Sequence, residues 1–191
     1  QEGDHVVSSF ISMCGKCRQC VRGRPVLCEN ARKAMFTLPD GSVRTRDAKG
    51  EPLNVFGACG VMAEYATLHV DNCVEVDKTV PMQNAALVSC AVMTGVGAVF
   101  NTAKLEPGSR AAVFGIGGVG LNAIQGCATA GAEMIVAVDS NEKKLEMAKE
   151  FGATHTVNIN DVDDAAKAVK KLTGGVDYAF ECVGAGPVVE Q

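Results

Sequence analysis

The chain has no excess of positive charge: 18 Lys and Arg against 22 Asp and Glu leave a formal net charge of −4 over 191 residues. A nucleic-acid binder would normally carry a basic face, so no nucleic-acid partner is expected. The first residues, QEGDHVVSSF, lack a basic segment followed by an apolar core, so no secretory leader is expected either. The longest apolar stretch, NAALVSCAVMTGVGAVF, is interrupted by Ser, Thr and Gly. It falls short of the roughly 20 residues that span a bilayer, so no membrane partner is expected. Internal repeats and low-complexity tracts are also missing. With 47% hydrophobic and 21% charged residues, the composition is that of a soluble globular protein, expected in the cytoplasm.

What the chain has is sulfur. CGKCRQCVRGRPVLC places Cys14, Cys17, Cys20 and Cys28 within one short stretch, out of nine cysteines in all. An odd count in a cytosolic setting argues against a disulfide framework. The spacing Cys-x2-Cys-x2-Cys-x7-Cys supplies four thiolates on tight turns, which suits tetrahedral zinc. An iron–sulfur run of the bacterial type has a similar opening, but its fourth cysteine comes sooner and is followed by proline, where this chain has Glu29. With four sulfurs around it no position remains for water or substrate, so such a zinc is structural. Lys16, Arg18, Arg22 and Arg24 surround the cluster and are expected to soften the negative charge of its thiolates.

Two patterns divide the chain. Up to about Val80, short apolar runs (GDHVVSSF, GVMAEYATLHV and NCVEVD) read as strands between Gly, Asp and Pro. From Pro81 onward, AAVFGIG, MIVAVD, THTVNI and VDYAFECVG read as strands, and helical stretches separate them. The last helix has Val162, Ala165, Ala166, Val169 and Leu172 at helical spacing, with Asp161 expected as N-cap and Gly174 at its end. Alternation of strand and helix predicts an α/β, doubly wound parallel sheet.

In AAVFGIGGVGLNAIQG, Gly115-x-Gly117-x-x-Gly120 follows a strand and opens a helix. Gly115 permits the turn, Gly117 lets backbone approach a pyrophosphate, and Gly120 allows close packing of helix on strand. The helix start offers free N–H groups to the anion. Asp139, at the tip of the next strand, can accept the ribose hydroxyls of NAD and would repel a 2′-phosphate. NAD is the expected cofactor.

A cysteine lobe upstream of such a domain, together with SCAVMTGVGAVFNTAKLEPGS, VFGIGGVGLNAIQGC, AKEFGATHTVN and GGVDYAFECVG, resembles the zinc-dependent medium-chain alcohol dehydrogenases. The likeness is greatest to their glutathione-dependent formaldehyde dehydrogenase (class III) branch. It implies part of a mostly-β GroES-like catalytic domain with a structural zinc lobe over residues 1–88, and an incomplete Rossmann NAD-binding domain over 89–191. It further implies a hydride transfer from a zinc-bound alcohol to NAD, with an alcohol or aldehyde as the small-molecule partner. Cys90 matches a ligand of a catalytic zinc, although Ser89 and Ala91 replace the usual flanking glycines. Thr94 would lie under the nicotinamide. Gly118 belongs to the phosphate turn, and Val119 would back the nicotinamide ring. Lys144 would be a second contact to the adenosine ribose, and Val183 and Gly184 contacts after the fourth strand. Arg32 would hold a substrate carboxylate, as in S-hydroxymethylglutathione. Cys59, Cys73, Cys127 and Cys182, and the histidines His5, His69 and His155, read as strand residues, match no ligand position. The resemblance also implies an internal portion of a longer enzyme, a homodimer or homotetramer when whole, and inactive as the present chain alone. Related dehydrogenases for polyol or aryl alcohols, and a zinc-stapled NAD-binding module without catalysis, are the competing readings.

Overall fold

The computed structural model describes residues 1–9, 11–31, 36–37, 41–58 and 60–190. The chain forms two compact units, Gln1–Ser89 and Cys90–Gln191. In the first, β1 (His5–Ser8) leads to the single-turn helix α1 (Arg18–Val21), and β1 later pairs antiparallel with β2 (Cys73–Val76). His5 lies opposite Val76 and Ser8 opposite Cys73. Tight 3-10 turns at Pro25–Leu27 and Val70–Asn72 make up much of the rest. Few side chains of this unit are fully buried among the described residues: Cys28, Asn72 and Ala85. Such a unit has little apolar core to hold it.

Two sequence expectations are corrected here. GVMAEYATLHV forms no strand; Met62 and Tyr65 are 101% and 91% exposed. A short apolar run becomes a strand only where a ladder partner and a face to bury are present. His69, expected in that strand, instead precedes the turn Val70–Asn72, and its Nδ1 accepts from the Asp71 N–H at 3.2 Å.

Helical structure then runs over Met82–Ala103, 22 residues that by length and composition alone could cross a membrane. The run is longer than the apolar stretch legible in sequence because polar residues at both ends join it. It comprises α2 (Met82–Leu87), a π-helical segment Val88–Val92, α3 (Met93–Gly97) and a second π-helical segment Ala98–Ala103. Within the second unit the run packs on protein: a Cβ on Gly95 would lie 2.4 Å from the Val119 carbonyl oxygen.

The second unit is a four-stranded parallel sheet in the order β5-β4-β3-β6. Its elements in chain order are β3 (Arg110–Phe114), α4 (Gly118–Thr129), β4 (Met134–Asp139), α5 (Glu142–Glu150), β5 (His155–Asn158), α6 (Ala165–Thr173), β6 (Tyr178–Glu181) and the short α7 (Gly186–Val189). The two central strands are buried on both faces, which is why they read as unbroken apolar runs. Ala111, Val113, Ile135 and Ala137 pack with Ile124 and Cys127 of α4 and Leu145 and Ala148 of α5. Ala112, Val136 and Val138 pack on the other face with Val157 and with Ala165 and Val169 of α6. Successive residues of one strand thus serve opposite layers, as strand geometry requires. At its lower end, Arg110 ties layers together, its Nη1 donating to the Thr173 carbonyl at 2.6 Å and its Nε to Glu133 at 2.7 Å.

The N-cap expected at Asp161 falls instead at Asp164, whose Oδ1 accepts from the Lys167 N–H at 2.9 Å. Asp161 ends a separate 3-10 turn, Ile159–Asp161. Both aspartates stand before the apolar face. The one whose backbone is extended immediately ahead of the first helical residue takes the cap. Gly174 closes the helix in the left-handed region, as expected.

Gly95→Ala tests the packing of α3 on α4. Alanine favours a helix interior by about 1 kcal/mol over glycine, but the added methyl would meet the Val119 oxygen at 2.4 Å and the Ala123 nitrogen at 2.7 Å. Those are backbone atoms that cannot swing aside. We expect a net loss of about 1–3 kcal/mol, read as a lower urea midpoint with an unchanged slope. An unchanged or raised midpoint would contradict this packing.

Candidate coenzyme and metal sites

The Sγ atoms of Cys14, Cys17, Cys20 and Cys28 all lie within 4.8 Å of one another. Local backbone brings them together. Gly15, at φ +70, turns the chain between the first two cysteines. Cys17 stands at the start of α1 with Cys20 inside it. Cys28 follows the Pro25–Leu27 turn and is 4% exposed. The Sγ of Cys17 is 3.5 Å from that of Cys20 and 4.0 Å from that of Cys28. Four soft donors converging at this separation suit tetrahedral zinc, with no residue left over.

The surroundings already favour thiolate at Cys14. Its thiol is lowered to about 6, first by the Lys16 backbone N–H and then by the Asn30 side chain, whose Nδ2 donates to the sulfur at 3.3 Å. Cys17 is also held below the ordinary thiol value, chiefly by the Cys20 backbone N–H. Cys20 is pushed up to about 12, first by burial and then by its contact with Cys17. The basic side chains Lys16, Arg18, Arg22 and Arg24, expected to soften the thiolate charge, are all exposed. For Cys14, backbone N–H groups and an amide do that work instead. Asn30 was not singled out from sequence; only its position two residues past the last cysteine hinted at it.

The glycine turn lies at the C-terminal end of β3. Gly115 has φ +89, a conformation glycine tolerates. A Cβ on Gly120 would sit 1.9 Å from the Gly115 carbonyl oxygen, so helix and turn touch through backbone. No protein atom lies within 4 Å of where a Cβ on Gly117 would be, so that side of the turn is open. Asn141 caps α5 and Asp164 caps α6, whereas no side chain caps α4. The N–H groups of its first turn, at Gly118, Val119 and Gly120, are thereby left for an anion such as a pyrophosphate.

Asp139 closes the neighbouring strand. Its Oδ2 accepts from the Ile116 N–H at 2.7 Å and its Oδ1 from the Asn141 N–H at 2.9 Å, and Lys144 Nζ approaches to 3.6 Å. Burial pushes this carboxyl up, but the two N–H groups and the Lys144 ammonium outweigh it, and the carboxyl lies below its ordinary value. It is an anion at neutral pH, tied to the glycine turn, with Lys144 beside it on α5. This is a fitting place for ribose hydroxyls.

Cys90 is exposed and lies in the first π-helical segment, a winding often found at functional positions. Thr94, also exposed, stands in α3. Their neighbours meet the coenzyme turn: a Cβ on Gly118 would be 3.5 Å from the Ala91 Cβ, and the Gly95 position adjoins the Val119 carbonyl. The four-cysteine cage is the only group of three or more His, Cys, Asp and Glu donors placed to hold a metal ion among the described residues, and Cys90 is not part of it. Val183 and Gly184 follow β6, and the Val183 Cγ2 would be 2.6 Å from a Cβ on Gly115. Cys127 is fully buried and Cys182 partly so, packed in the core. Arg32 and Cys59 lie outside the described residues.

Residues 1–78 match the alcohol dehydrogenase GroES-like domain family, and residues 118–191 match the zinc-binding dehydrogenase family. The S-(hydroxymethyl)glutathione dehydrogenase of Paracoccus denitrificans is 37% identical over 191 aligned residues, covering 95% of this chain and 51% of that protein. Among solved structures, an alcohol dehydrogenase zinc-binding domain protein from Burkholderia ambifaria superimposes with a TM-score of 0.86 at 38% identity, covering 98% of this chain and 51% of that one. Benzyl alcohol dehydrogenase from Acinetobacter calcoaceticus gives a TM-score of 0.81 at 36% identity over 99% of this chain and 51% of that one. The chain spans about half the length of each of these proteins.

Zinc bound in the cage should hold the first unit together. Structural zinc in small peptides contributes about 10–16 kcal/mol, against about 5–15 kcal/mol for the whole stability of a domain. Cys17→Ser, or removal of metal by chelation, should lower the melting temperature of the protein. Binding must expel the proton of each thiol that still carries one, so affinity should fall as pH falls, more steeply below about 6, where Cys14 also protonates. Zinc titrations across pH 5–8 check the slope. Visible absorption near 400 nm from purified protein would indicate iron–sulfur and contradict zinc.

Proposed function

Because the chain belongs to the zinc-dependent medium-chain alcohol dehydrogenase family, we propose that it forms part of an oxidoreductase moving a hydride from an alcohol carbon to NAD, with S-hydroxymethylglutathione as the favoured substrate. One observation carries the coenzyme half of the reading. The uncapped start of α4 faces an open glycine turn whose Ile116 N–H is bonded to Asp139, the acid placed for a ribose. The substrate half rests on the 37% identity to a glutathione-adduct dehydrogenase. The likeness to a benzyl alcohol dehydrogenase keeps aryl alcohols as the second substrate class.

In this reading the N–H groups at Gly118, Val119 and Gly120 neutralise the pyrophosphate without spending a charged side chain. Asp139 and Lys144 hold the adenosine ribose. Thr94 and Val119 border the nicotinamide half, keeping water from the hydride path, and Val183 and Gly184 contact the coenzyme after the fourth strand. Cys90 supplies one thiolate toward a catalytic metal. When bound, zinc draws charge from the alcohol oxygen and NAD accepts the hydride. A single thiolate does not fix that geometry, so the remaining donors must come from the rest of the whole protein. Arg32 would pair with a substrate carboxylate by two parallel N–H···O bonds. A soluble, cytoplasmic homodimer or homotetramer, without nucleic-acid or membrane partner, goes with this reading.

Asp139→Gly should weaken NAD binding by about tenfold, the loss of about 1.4 kcal/mol, and strengthen NADP binding by removing a negative charge from the place of the 2′-phosphate. Isothermal titration with both coenzymes decides it; an unchanged preference would leave Asp139 with a purely structural role. For the substrate, Arg32→Ala in the whole protein should reduce kcat/KM for S-hydroxymethylglutathione far more than for benzyl or long-chain alcohols. Equal losses on all of them would remove the adduct reading and favour the aryl class.

A further inference from the structure

We propose that Asn160 is a positioning residue for the ribose-binding carboxylate, acting on Asp139 through a single peptide group. The proposal rests on the NAD reading above. Asp139 ends β4 and lies opposite Asn158 of β5 in the parallel register. Beyond β5 the chain turns at once through the 3-10 segment Ile159–Asp161. From that turn the Asn160 Nδ2 donates to the Ser140 carbonyl at 2.9 Å. Across the same peptide bond, the Asn141 N–H donates to the Asp139 Oδ1 at 2.9 Å. A trans peptide is planar, with its C=O and N–H pointing opposite ways. Fixing the carbonyl therefore fixes the direction of the N–H that holds the acid.

Asn160 is itself held in place. Its own N–H donates to the Asn158 Oδ1 at 3.0 Å, and the Asn158 Nδ2 reaches the Glu142 Oε2 of α5 at 3.0 Å. The end of β5 thus grips the segment between β4 and α5 at two points, Ser140 and Glu142. What the grip secures is the aim of the Asp139 carboxylate. Its Oδ2 is bonded to the Ile116 N–H of the glycine turn and its Oδ1 to the Asn141 N–H. An ionised carboxylate has about four lone-pair sites, so each oxygen keeps a site for a ribose hydroxyl once its backbone bond is made. Where those sites point depends on both N–H groups. Ser140 and Asn141 are exposed, so packing does little to hold their peptide group, and the Asn160 amide is its outer tie. Asn160 would aim the acid without itself touching the coenzyme.

The consequence is a loss confined to ligands whose ribose hydroxyl meets Asp139. Without the Asn160 amide the peptide group samples other orientations, and apparent affinity falls by the fraction still aligned. A net hydrogen bond corresponds to a factor of about two to ten. An aligned fraction of about one fifth would weaken NAD binding about fivefold. The analogue of NAD that carries 2′-deoxyadenosine lacks the hydroxyl Asp139 accepts, so its affinity should change by less than about twofold. NADP, whose 2′-phosphate a well-aimed Asp139 repels, should bind no more weakly than before. The experiment titrates all three ligands by calorimetry into the whole, zinc-loaded protein, as wild type and Asn160→Ala. The side chain removed is exposed, so the variant should fold as the wild type does. Support is a loss on NAD in the variant, with the deoxy analogue unchanged and NADP unchanged or tighter. Equal losses on all three ligands would show a merely structural role and overturn the proposal, and so would an unchanged affinity for NAD. A wild type that binds NAD no more tightly than the deoxy analogue would instead overturn the reading of Asp139 as the ribose acid, and this proposal with it.

Discussion

A backbone carbonyl, that of Gly115, occupies the place where a side chain on residue 120 would begin, 1.9 Å from the ideal Cβ. Most of the coenzyme unit is arranged around that approach. It sets the start of α4 against the end of β3 with no side chain between them. The helix N–H groups then open onto the turn rather than onto a cap. The Ile116 N–H is free to bond Asp139, and Val119 presents its carbonyl to Gly95 of α3. Strand ends on both sides lean on the same turn, β4 through Asp139 and β6 through Cys182 and Val183. A single methyl at position 120 would push these contacts apart together, because its two nearest neighbours are backbone atoms of Gly115 that cannot rotate away.

The first unit solves a different problem. Its described residues bury few side chains, and among them the only paired strands are β1 and β2, over four residues. A two-stranded sheet with so little core is marginal in water. The cage compensates by concentrating stability in one place. Three of the four cysteines lie on a knuckle and a single helical turn that would not persist alone, and a shared ion makes them cooperative. Backbone N–H groups and Asn30 prepare Cys14 as a thiolate before any metal arrives, while Cys20 keeps its proton.

The two units divide the chemistry by kind of donor. One gathers soft sulfur at a closed site, which suits holding an ion and excludes a substrate from it. The other leaves N–H groups and a carboxylate at an open turn, which suits a ligand that must enter and leave. Cys90, exposed in a π-helical segment whose neighbour Ala91 meets Gly118, belongs to the second kind of place. There its sulfur stays accessible.

Features carried by a few adjacent residues were legible in the sequence alone. The cysteine spacing encodes its cage because the turns that close it lie between the ligands. The glycine pattern encodes its turn because each glycine answers a local steric demand. The apolar runs of β3 and β4 announced a sheet covered on both faces, since such strands leave no alternation to read. Features that depend on what else arrives were not legible. GVMAEYATLHV is apolar and turn-bounded like a strand but finds no ladder, and Asp161 precedes α6 in composition while Asp164 has the extended backbone that a cap needs. Asn30 is an ordinary polar residue in sequence, and its role exists only because folding sets the Cys14 sulfur beside it. Local sterics are written residue by residue. The choice among equally polar side chains is made by whichever donors the tertiary structure brings within about 3 Å, the range of a hydrogen bond.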